Sequence, residues 1–194
     1  ANVDKTLVVL ARDAGSGGVL SPVQVLRDGQ DLDWGLLGGY GMVFSPDGRF
    51  LSLAATRGSS VTTFARNAED GTLTFASQQR DQAGPPVDDS ALLNLAGVRG
   101  IALTPDGRHA YTVSAINDYL VTFARDADSG ELTFVQQFKD NEAGVDGLEN
   151  GYDVAISPDG RFVYATGFDD NALAVLARDP GSGQLTFVEL IRGR

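Results

Sequence analysis

The chain has 194 residues, 42% of them hydrophobic, and its 26 acids and 15 bases give a formal net charge of −11. An acidic surface repels phosphate backbones and anionic lipid, which excludes nucleic acid and membrane surfaces as partners. The chain has no cysteine, which excludes disulfides, thiolate zinc sites and cysteine nucleophiles.

The predicted elements follow an internal repeat. A turn of the type Ser-Pro-Asp-Gly-Arg occurs at residues 45–49, 104–108 and 157–161, and Ala-Arg followed by Asp or Asn occurs four times. In chain order the repeat predicts a two-stranded unit over residues 1–27, then four-stranded units over residues 39–80, 98–139 and 151–192. We name the strands of each complete unit A to D, and the first unit has only C and D.

The last copy shows why each unit is a set of four strands. Val154–Ser157 is a short apolar strand that ends at a Pro-Asp-Gly turn, and Phe162–Thr166 is rich in aromatic and β-branched residues. Ala172–Ala177 and Gln184–Ile191 follow, separated by a second turn. No helix is predicted, so the fold class is all-β with antiparallel sheets.

Strand C predicts how the sheets pack. Both faces of this strand are largely apolar in every copy. In the first copy Leu7 and Val9 occupy one face, Val8 and Leu10 the other. Such a sheet must be covered on both sides by similar sheets, and radial repetition of four-stranded sheets does this in a β-propeller. A β-solenoid is the alternative, but its coils are shorter than this repeat.

The ordered motifs of the repeat resemble the lactonase-type seven-bladed β-propeller family, which includes 6-phosphogluconolactonase. The resemblance rests on Ser-Pro-Asp-Gly-Arg at 157–161, the aromatic strand after it, and Ala-Arg-Asp-Pro with Leu-Thr-Phe at 177–187. It implies a seven-bladed ring, of which three blades and a C-D half-blade are about half. We therefore expect either a fragment of a longer protein or an assembly, most simply a homodimer.

The connections from strand D to the next strand A are expected at the mouth of the central channel. They span residues 27–41, 80–100 and 139–153 and hold 11 of the 26 acids but 4 of the 15 bases. Their carboxylates, with weak calcium candidates at Asp31, Asp33, Asp146 and Glu149, could supply hard oxygen ligands. The simpler interpretation is a solvated acidic rim, and we expect no firm metal site and no cofactor.

Three residues are candidates for catalysis. Arg99 and Asp153 break the repeat just before strand A, so we expect both at the channel mouth, where the resemblance implies that an anionic sugar acid is held. His109 is the only histidine and stands where other copies have Phe50 and Phe162. Its simpler interpretation is a partly exposed histidine in an aromatic position.

The residues repeated in every copy are expected to be architectural. The aspartates of the A-B turn should accept hydrogen bonds from backbone N–H groups. The arginines that end strand C should pair with an acid or a carbonyl nearby. These residues are Asp47, Asp106 and Asp159, and Arg12, Arg66, Arg125 and Arg178.

Since no complete catalytic motif is present, we expect a non-enzymatic propeller that binds a protein, peptide or glycan, or a repeat array without a ligand. The alternative, which the resemblance implies, is a lactonase-type hydrolase that opens a sugar lactone at the channel mouth. The acidity and the bacterial members of the family favour an extracellular or periplasmic setting in a bacterium.

Overall fold

A computed structural model describes residues 6–13, 15, 17–28, 35–81 and 93–193. It contains the following strands: β1 (Thr6–Arg12), β2 (Leu20–Arg27), β3 (Gly39–Phe44), β4 (Phe50–Ala55), β5 (Ser60–Arg66), β6 (Leu73–Arg80), β7 (Val98–Leu103), β8 (His109–Ser114), β9 (Tyr119–Arg125), β10 (Leu132–Lys139), β11 (Gly151–Ile156), β12 (Phe162–Gly167), β13 (Ala172–Arg178) and β14 (Leu185–Arg192). The described residues form no helix.

The strands form three four-stranded sheets and one two-stranded sheet, all antiparallel. β3 to β6, β7 to β10 and β11 to β14 each pair in chain order, and β1 pairs with β2. We call the three complete sheets blades 1, 2 and 3, and the β1-β2 pair the half-blade. β7 packs against β3 on one side and β11 on the other, so the A strands are the inner strands. This confirms the all-β propeller fold with three blades and a C-D half-blade.

The A-B turns are built as the repeat predicts. In each turn the aspartate accepts hydrogen bonds from the hydroxyl two residues earlier and from the arginine N–H two residues later, at 3.0 Å from the nitrogen. The glycine between them has a φ of about 70°, a left-handed conformation that glycine adopts readily. The expected structural role of Asp47, Asp106 and Asp159 is confirmed.

The hydrophobic core lies between the sheets, as the two apolar faces of strand C require. Val121 and Phe123 pack towards blade 1, whereas Leu120 packs towards blade 3, and all three are fully buried. The half-blade is covered on one face alone: Leu7 and Val9 pack against blade 1, but Val8 is half exposed. A groove of about 430 Å³ beside β1 is lined by apolar residues, among them Leu10, Met42 and Phe44.

Adjacent blades are joined by the arginine that ends strand C. Arg178 of blade 3 donates from Nε to the Tyr111 hydroxyl (3.1 Å) and pairs with Asp106 (3.2 Å), both in blade 2. Within its own blade it donates to the Gly160 carbonyl (2.9 Å). Arg125 likewise donates to the Gly107 carbonyl (3.0 Å). The predicted pairing is therefore confirmed for these two arginines.

No helix of the described residues is long and apolar enough to cross a membrane. The half-ring has two open faces, one on the half-blade and one on blade 3. Val8 and Leu10 are about half exposed on the open face of the half-blade, and Phe162 and Tyr164 are partly buried on the open face of blade 3.

Candidate functional site

The three inner strands are irregular at the same position. The β3-β4 register skips Tyr40, the β11-β12 register skips Tyr152, and the β7-β8 register is broken at Arg99 and Gly100. Tyr40, Arg99 and Tyr152 each lie five positions before the turn hydroxyl of their copy. A bulge takes a residue out of the ladder and can redirect its side chain. The fold therefore repeats one irregularity three times, close to the start of strand A.

The side chains of these bulged residues meet one another across three blades. The Tyr40 and Tyr152 ring centroids are 5.7 Å apart and nearly perpendicular, although blade 2 separates their blades. Arg99 of blade 2 lies over the Tyr152 ring, with its guanidinium carbon 5.3 Å from the centroid. Blades 1 and 3 approach each other closely where their inner strands converge. Tyr40, Arg99 and Tyr152 therefore meet where the three inner strands converge.

A hydrogen-bond network holds Arg99 in place. Its Nη1 donates to Asn150 Oδ1 at 2.9 Å. Asn150 in turn donates from its backbone nitrogen to Asp118 Oδ1 (2.8 Å) and from its side-chain amide to Asp169 Oδ2 (3.1 Å). Asn150 has a φ of 52°, which asparagine tolerates better than most residues. The guanidinium is thus positioned by one amide that two carboxylates orient.

Asp153 is placed beside Arg99 by the close packing of inner strands β7 and β11. A Cβ on Gly100 would lie 2.8 Å from the Asp153 Cα, so glycine is required for this approach. The Asp153 side chain is exposed, and its Oδ1 accepts a hydrogen bond from its neighbour Val154 N (2.9 Å). The structure brings Arg99 and Asp153 to neighbouring inner strands on the same side of the ring.

The tyrosines share the electrostatic environment of these two charges. A hydrogen bond with Tyr152, followed by desolvation, raises the pKa of Tyr40, and the negative charge of Asp153 acts in the same direction. The positive charge of Arg99 opposes this rise. Both tyrosines are about half exposed, so their rings are available to a ligand. The arrangement offers donors, an acceptor and apolar ring faces within one small area.

The two tyrosines are not among the residues predicted from the sequence. The two predicted residues, Arg99 and Asp153, occupy different positions of the repeat, five and four residues before the turn hydroxyl. Alignment on the turn hydroxyl instead places Tyr40 and Tyr152 opposite Arg99. That alignment is the signal by which the sequence could have revealed them.

His109 lies at the opposite end of its hairpin from Arg99. Leu103 pairs with Ala110 at the His109 end of β7 and β8, whereas Val98 pairs with Ser114 at the Arg99 end. The expected partial exposure of His109 is wrong, because its side chain is buried between blades 2 and 3. Its Nδ1 lies 2.8 Å from Arg178 Nη2. Burial, followed by the charge of Arg178, lowers the pKa of His109.

The weak calcium candidates have different outcomes. Asp31 and Asp33 lie outside the described residues. Asp146 groups with Asp140 and Asp170, whose carboxylate oxygens all lie within 4.8 Å of one another. Glu149 is not part of that group. Desolvation, followed by the charges of Asp170 and Asp169, raises the pKa of Glu149.

The Asp146 group already has a positive partner. Arg192 Nη2 lies 2.9 Å from Asp146 Oδ2, and its Nη1 lies 4.0 Å from Asp170 Oδ1. The Asp140 carboxylate accepts a hydrogen bond from Leu148 N at 2.8 Å. Each of the three carboxylates is therefore contacted by Arg192 or by a loop N–H.

The fold is that of a partial β-propeller, in which two tyrosines, an arginine and a carboxylate gather where the inner strands converge. The family model for the seven-bladed lactonase β-propeller matches residues 86–193. The chain belongs to this family.

Named relatives agree with this assignment. The chain is 32% identical over 91 residues to 6-phosphogluconolactonase from Pectobacterium carotovorum, covering 47% of the chain and 27% of that protein. A solved protein from Lactobacillus plantarum is similar at 25% identity and a TM-score of 0.75, covering 96% of the chain and 49% of the solved chain. The periplasmic gluconolactonase of Pseudomonas aeruginosa is similar at 28% identity and a TM-score of 0.63, covering 90% and 42%. The chain spans about a quarter of the curated relative and under half of each solved chain.

The comparisons overturn one prediction. The expectation of a non-enzymatic binding propeller is wrong, because the matching relative is named as a lactonase, as is a solved neighbour at 28% identity. These findings support the lactonase alternative. The prediction rested on the lack of a known catalytic motif, and that lack does not exclude a hydrolase built from other residues.

Proposed function

We propose that the chain forms part of a lactone hydrolase whose site is the channel mouth at Tyr40, Arg99, Tyr152 and Asp153. The observation that carries this proposal is the triple bulge, which turns three equivalent inner-strand residues towards one another beside a carboxylate. The names of the relatives supply the reaction type.

The proposed reaction is the addition of water to the lactone carbonyl, followed by cleavage of the ring C–O bond. Asp153 accepts a proton from the attacking water, and Arg99 stabilises the negative charge that develops on the carbonyl oxygen. The ring oxygen leaves as a hydroxyl group after taking up a proton. The products are one hydroxy acid per water consumed, with the acid's own proton released to solvent near neutral pH.

Each residue has a chemical reason for its role. A guanidinium has five N–H donors, and Asn150 accepts from one of those on Arg99, at Nη1. Asp153 has an Oδ1 that is occupied by Val154 N, and its second oxygen faces no hydrogen-bond donor among the described residues. The ring of Tyr40 offers an apolar face to the C–H groups of a sugar ring.

The test is acid release from a sugar lactone, measured above the spontaneous rate. Arg99→Ala should lower kcat/KM by about 100-fold, the usual effect of removing one oxyanion donor. Arg161→Ala removes an exposed arginine from the opposite face and is the matched control. Equal activity of the two variants would contradict the proposed role of Arg99.

We also propose a homodimer as the simplest assembly that covers the open faces. The half-blade carries Arg12-Asp13 followed by Gly-Ser-Gly, as Arg178-Asp179 of blade 3 does, and blade 3 packs on blade 2 through that segment. Sedimentation that gives a folded 20 kDa monomer at micromolar concentration would contradict the dimer. A periplasmic or extracellular bacterial setting is proposed on the basis of the Pseudomonas relative's name.

A further inference from the structure

The charges around the channel mouth bear on which lactone the site accepts. The inner strands β3, β7 and β11 carry one base, Arg99, and one acid, Asp153. The charges on the three inner strands therefore cancel. The field that a substrate meets is set by the turns and connections around the mouth.

Those turns and connections are strongly acidic. The described segments that join strand D to strand A or strand B to strand C surround the mouth. They hold nine acids and one base, Arg57, and the four D strands that lead into this rim each end in a base. The segments are residues 28, 35–38, 56–59, 81, 93–97, 115–118, 140–150 and 168–171. The acids are Asp28, Asp81, Asp118, Asp140, Glu142, Asp146, Glu149, Asp169 and Asp170, and the bases that end the D strands are Arg27, Arg80, Lys139 and Arg192.

Two of the four bases that end the D strands pair with rim acids. Lys139 pairs with Glu142 at 3.2 Å, and Arg192 pairs with Asp146 at 2.9 Å. Arg99 is connected through Asn150 to Asp118 and Asp169, so two carboxylates lie one amide away from its guanidinium. The acids also repel one another: the charges of Asp170, Asp169, Asp118 and Asp140 each disfavour ionised Glu149.

A phosphorylated sugar lactone carries a charge of about −1.5 to −2 at neutral pH. It would need several cations to offset the repulsion of this rim, as phosphate sites use arginine clusters or helix N-termini. The described mouth offers Arg99 alone at its centre. A lactone without a phosphate is uncharged and meets no such repulsion.

From this charge distribution we infer that the channel mouth selects an uncharged sugar lactone and discriminates against its phosphorylated counterpart. The inference rests on the proposed lactonase function and specifies its substrate class. In this arrangement Arg99 stabilises the single negative charge that the reaction itself creates on the carbonyl oxygen. The same acidic rim then repels the carboxylate product, which favours its release.

The experiment compares gluconolactone with 6-phosphogluconolactone on the whole chain, each corrected for spontaneous hydrolysis. We expect kcat/KM to be at least about tenfold higher for gluconolactone. Raising the ionic strength from about 0.01 M to about 1 M shortens the Debye length from about 30 Å to about 3 Å. It should raise kcat/KM for the phosphorylated lactone and leave the value for gluconolactone unchanged.

A pair of matched variants locates the effect at the mouth. Glu149→Gln removes an exposed rim charge and should raise kcat/KM for the phosphorylated lactone about twofold to fivefold at low salt, without affecting gluconolactone. Glu131→Gln removes an exposed charge from a C-D turn on the opposite face and should change neither value.

The outcomes separate the two proposals. Preference for the phosphorylated lactone, or a kcat/KM for it that falls with added salt, overturns the selectivity inference and leaves the lactonase function standing. No turnover of either lactone overturns the proposed function and this inference with it.

Discussion

His109 of blade 2 lies directly against Gly183 of blade 3, so that a Cβ on Gly183 would overlap the imidazole ring. Phe50 of blade 1 has the same relationship with Gly130 of blade 2. The ring that begins strand B therefore fits against the glycine that ends the C-D turn of the next blade. This contact repeats at both interfaces between complete blades.

Replacing this glycine with alanine should destabilise the fold more where the ring of a neighbouring blade occupies the Cβ position. Gly130 and Gly71 are repeat equivalents with φ values of 74° and 77°, but the Gly71 Cβ position meets nothing within 4 Å. Gly71→Ala should cost about 1–2 kcal/mol from the left-handed backbone alone. Gly130→Ala should cost about 1–3 kcal/mol more, because Phe50 must move. Urea denaturation of both variants measures the difference, and equal losses would contradict the interface contact.

Removing the Tyr111 hydroxyl should destabilise the interface between blades 2 and 3. That hydroxyl donates to the Gly183 carbonyl (2.8 Å) and accepts from Arg178 Nε (3.1 Å), and burial raises the pKa of Tyr111 to about 12. Tyr111→Phe leaves two buried groups without a partner and should cost about 1–3 kcal/mol.

Tyr164→Phe is the matched control for that variant, because Tyr164 is its repeat equivalent on the open face of blade 3. The described residues give its hydroxyl no hydrogen bond, so the change should stay within about 0.5 kcal/mol. Thermal unfolding of both variants supplies the comparison. A loss for Tyr164→Phe as large as that for Tyr111→Phe would show that the Tyr111 hydroxyl does not stabilise the interface.

The stability of the chain should fall as the pH decreases below about 6.5, the ordinary pKa of histidine. Burial and the charge of Arg178 lower the pKa of His109 in the folded state, although Asp106 opposes this and Arg108 adds to it. As the pH falls, the unfolded chain therefore protonates its histidine at a higher pH than the folded chain does. The free energy of unfolding decreases between these two pKa values of His109.

His109→Phe isolates this effect, because His109 is the only histidine and Phe50 and Phe162 occupy its position in the other blades. The free energy of unfolding, measured in urea between pH 7.5 and pH 5 (about the range in which histidine titrates), should lose part of its pH dependence in the variant. An unchanged pH profile would mean that His109 does not contribute to it.

Asn150 is predicted to be a positioning residue for Arg99. Asn150→Gly keeps the left-handed backbone but removes the oxygen that accepts from Arg99 Nη1. We expect kcat/KM for the lactone to fall about tenfold, as loss of a supporting partner typically does. Asn150→Asp keeps an acceptor for Arg99 but loses the donor to Asp169 and adds a charge beside it, so it should recover only part of the activity. If Asn150→Gly retains the full kcat/KM, the role of Asn150 is not to orient Arg99.

The sequence was sufficient for the fold because its signals are local and repeated. Turn residues such as Asp159 and Gly160 act within a few residues, and the two apolar faces of Ala172–Ala177 require covering sheets whatever the detailed packing. The strand count and the half-ring follow from these signals. The order of the inner strands can then be predicted from the repeat alone, without knowledge of contacts between distant residues.

The site was only partly predictable, because it depends on contacts between blades. Arg99 and Asp153 stood out as breaks in the repeat, whereas Tyr40 and Tyr152 each look like ordinary strand aromatics. Their meeting, 5.7 Å apart across blade 2, depends on the curvature of the ring. The burial of His109 likewise depends on Gly183, which is 74 residues away in the chain.

The bulges have an evolutionary consequence. Tyr40, Arg99 and Tyr152 lie outside the regular register of their hairpins, so exchanging one of them leaves the neighbouring pairs of each sheet in place. Chemistry at the centre of the molecule can therefore diversify while the architecture stays constant. A combinatorial library restricted to these three codons should yield many folded variants with altered ligands.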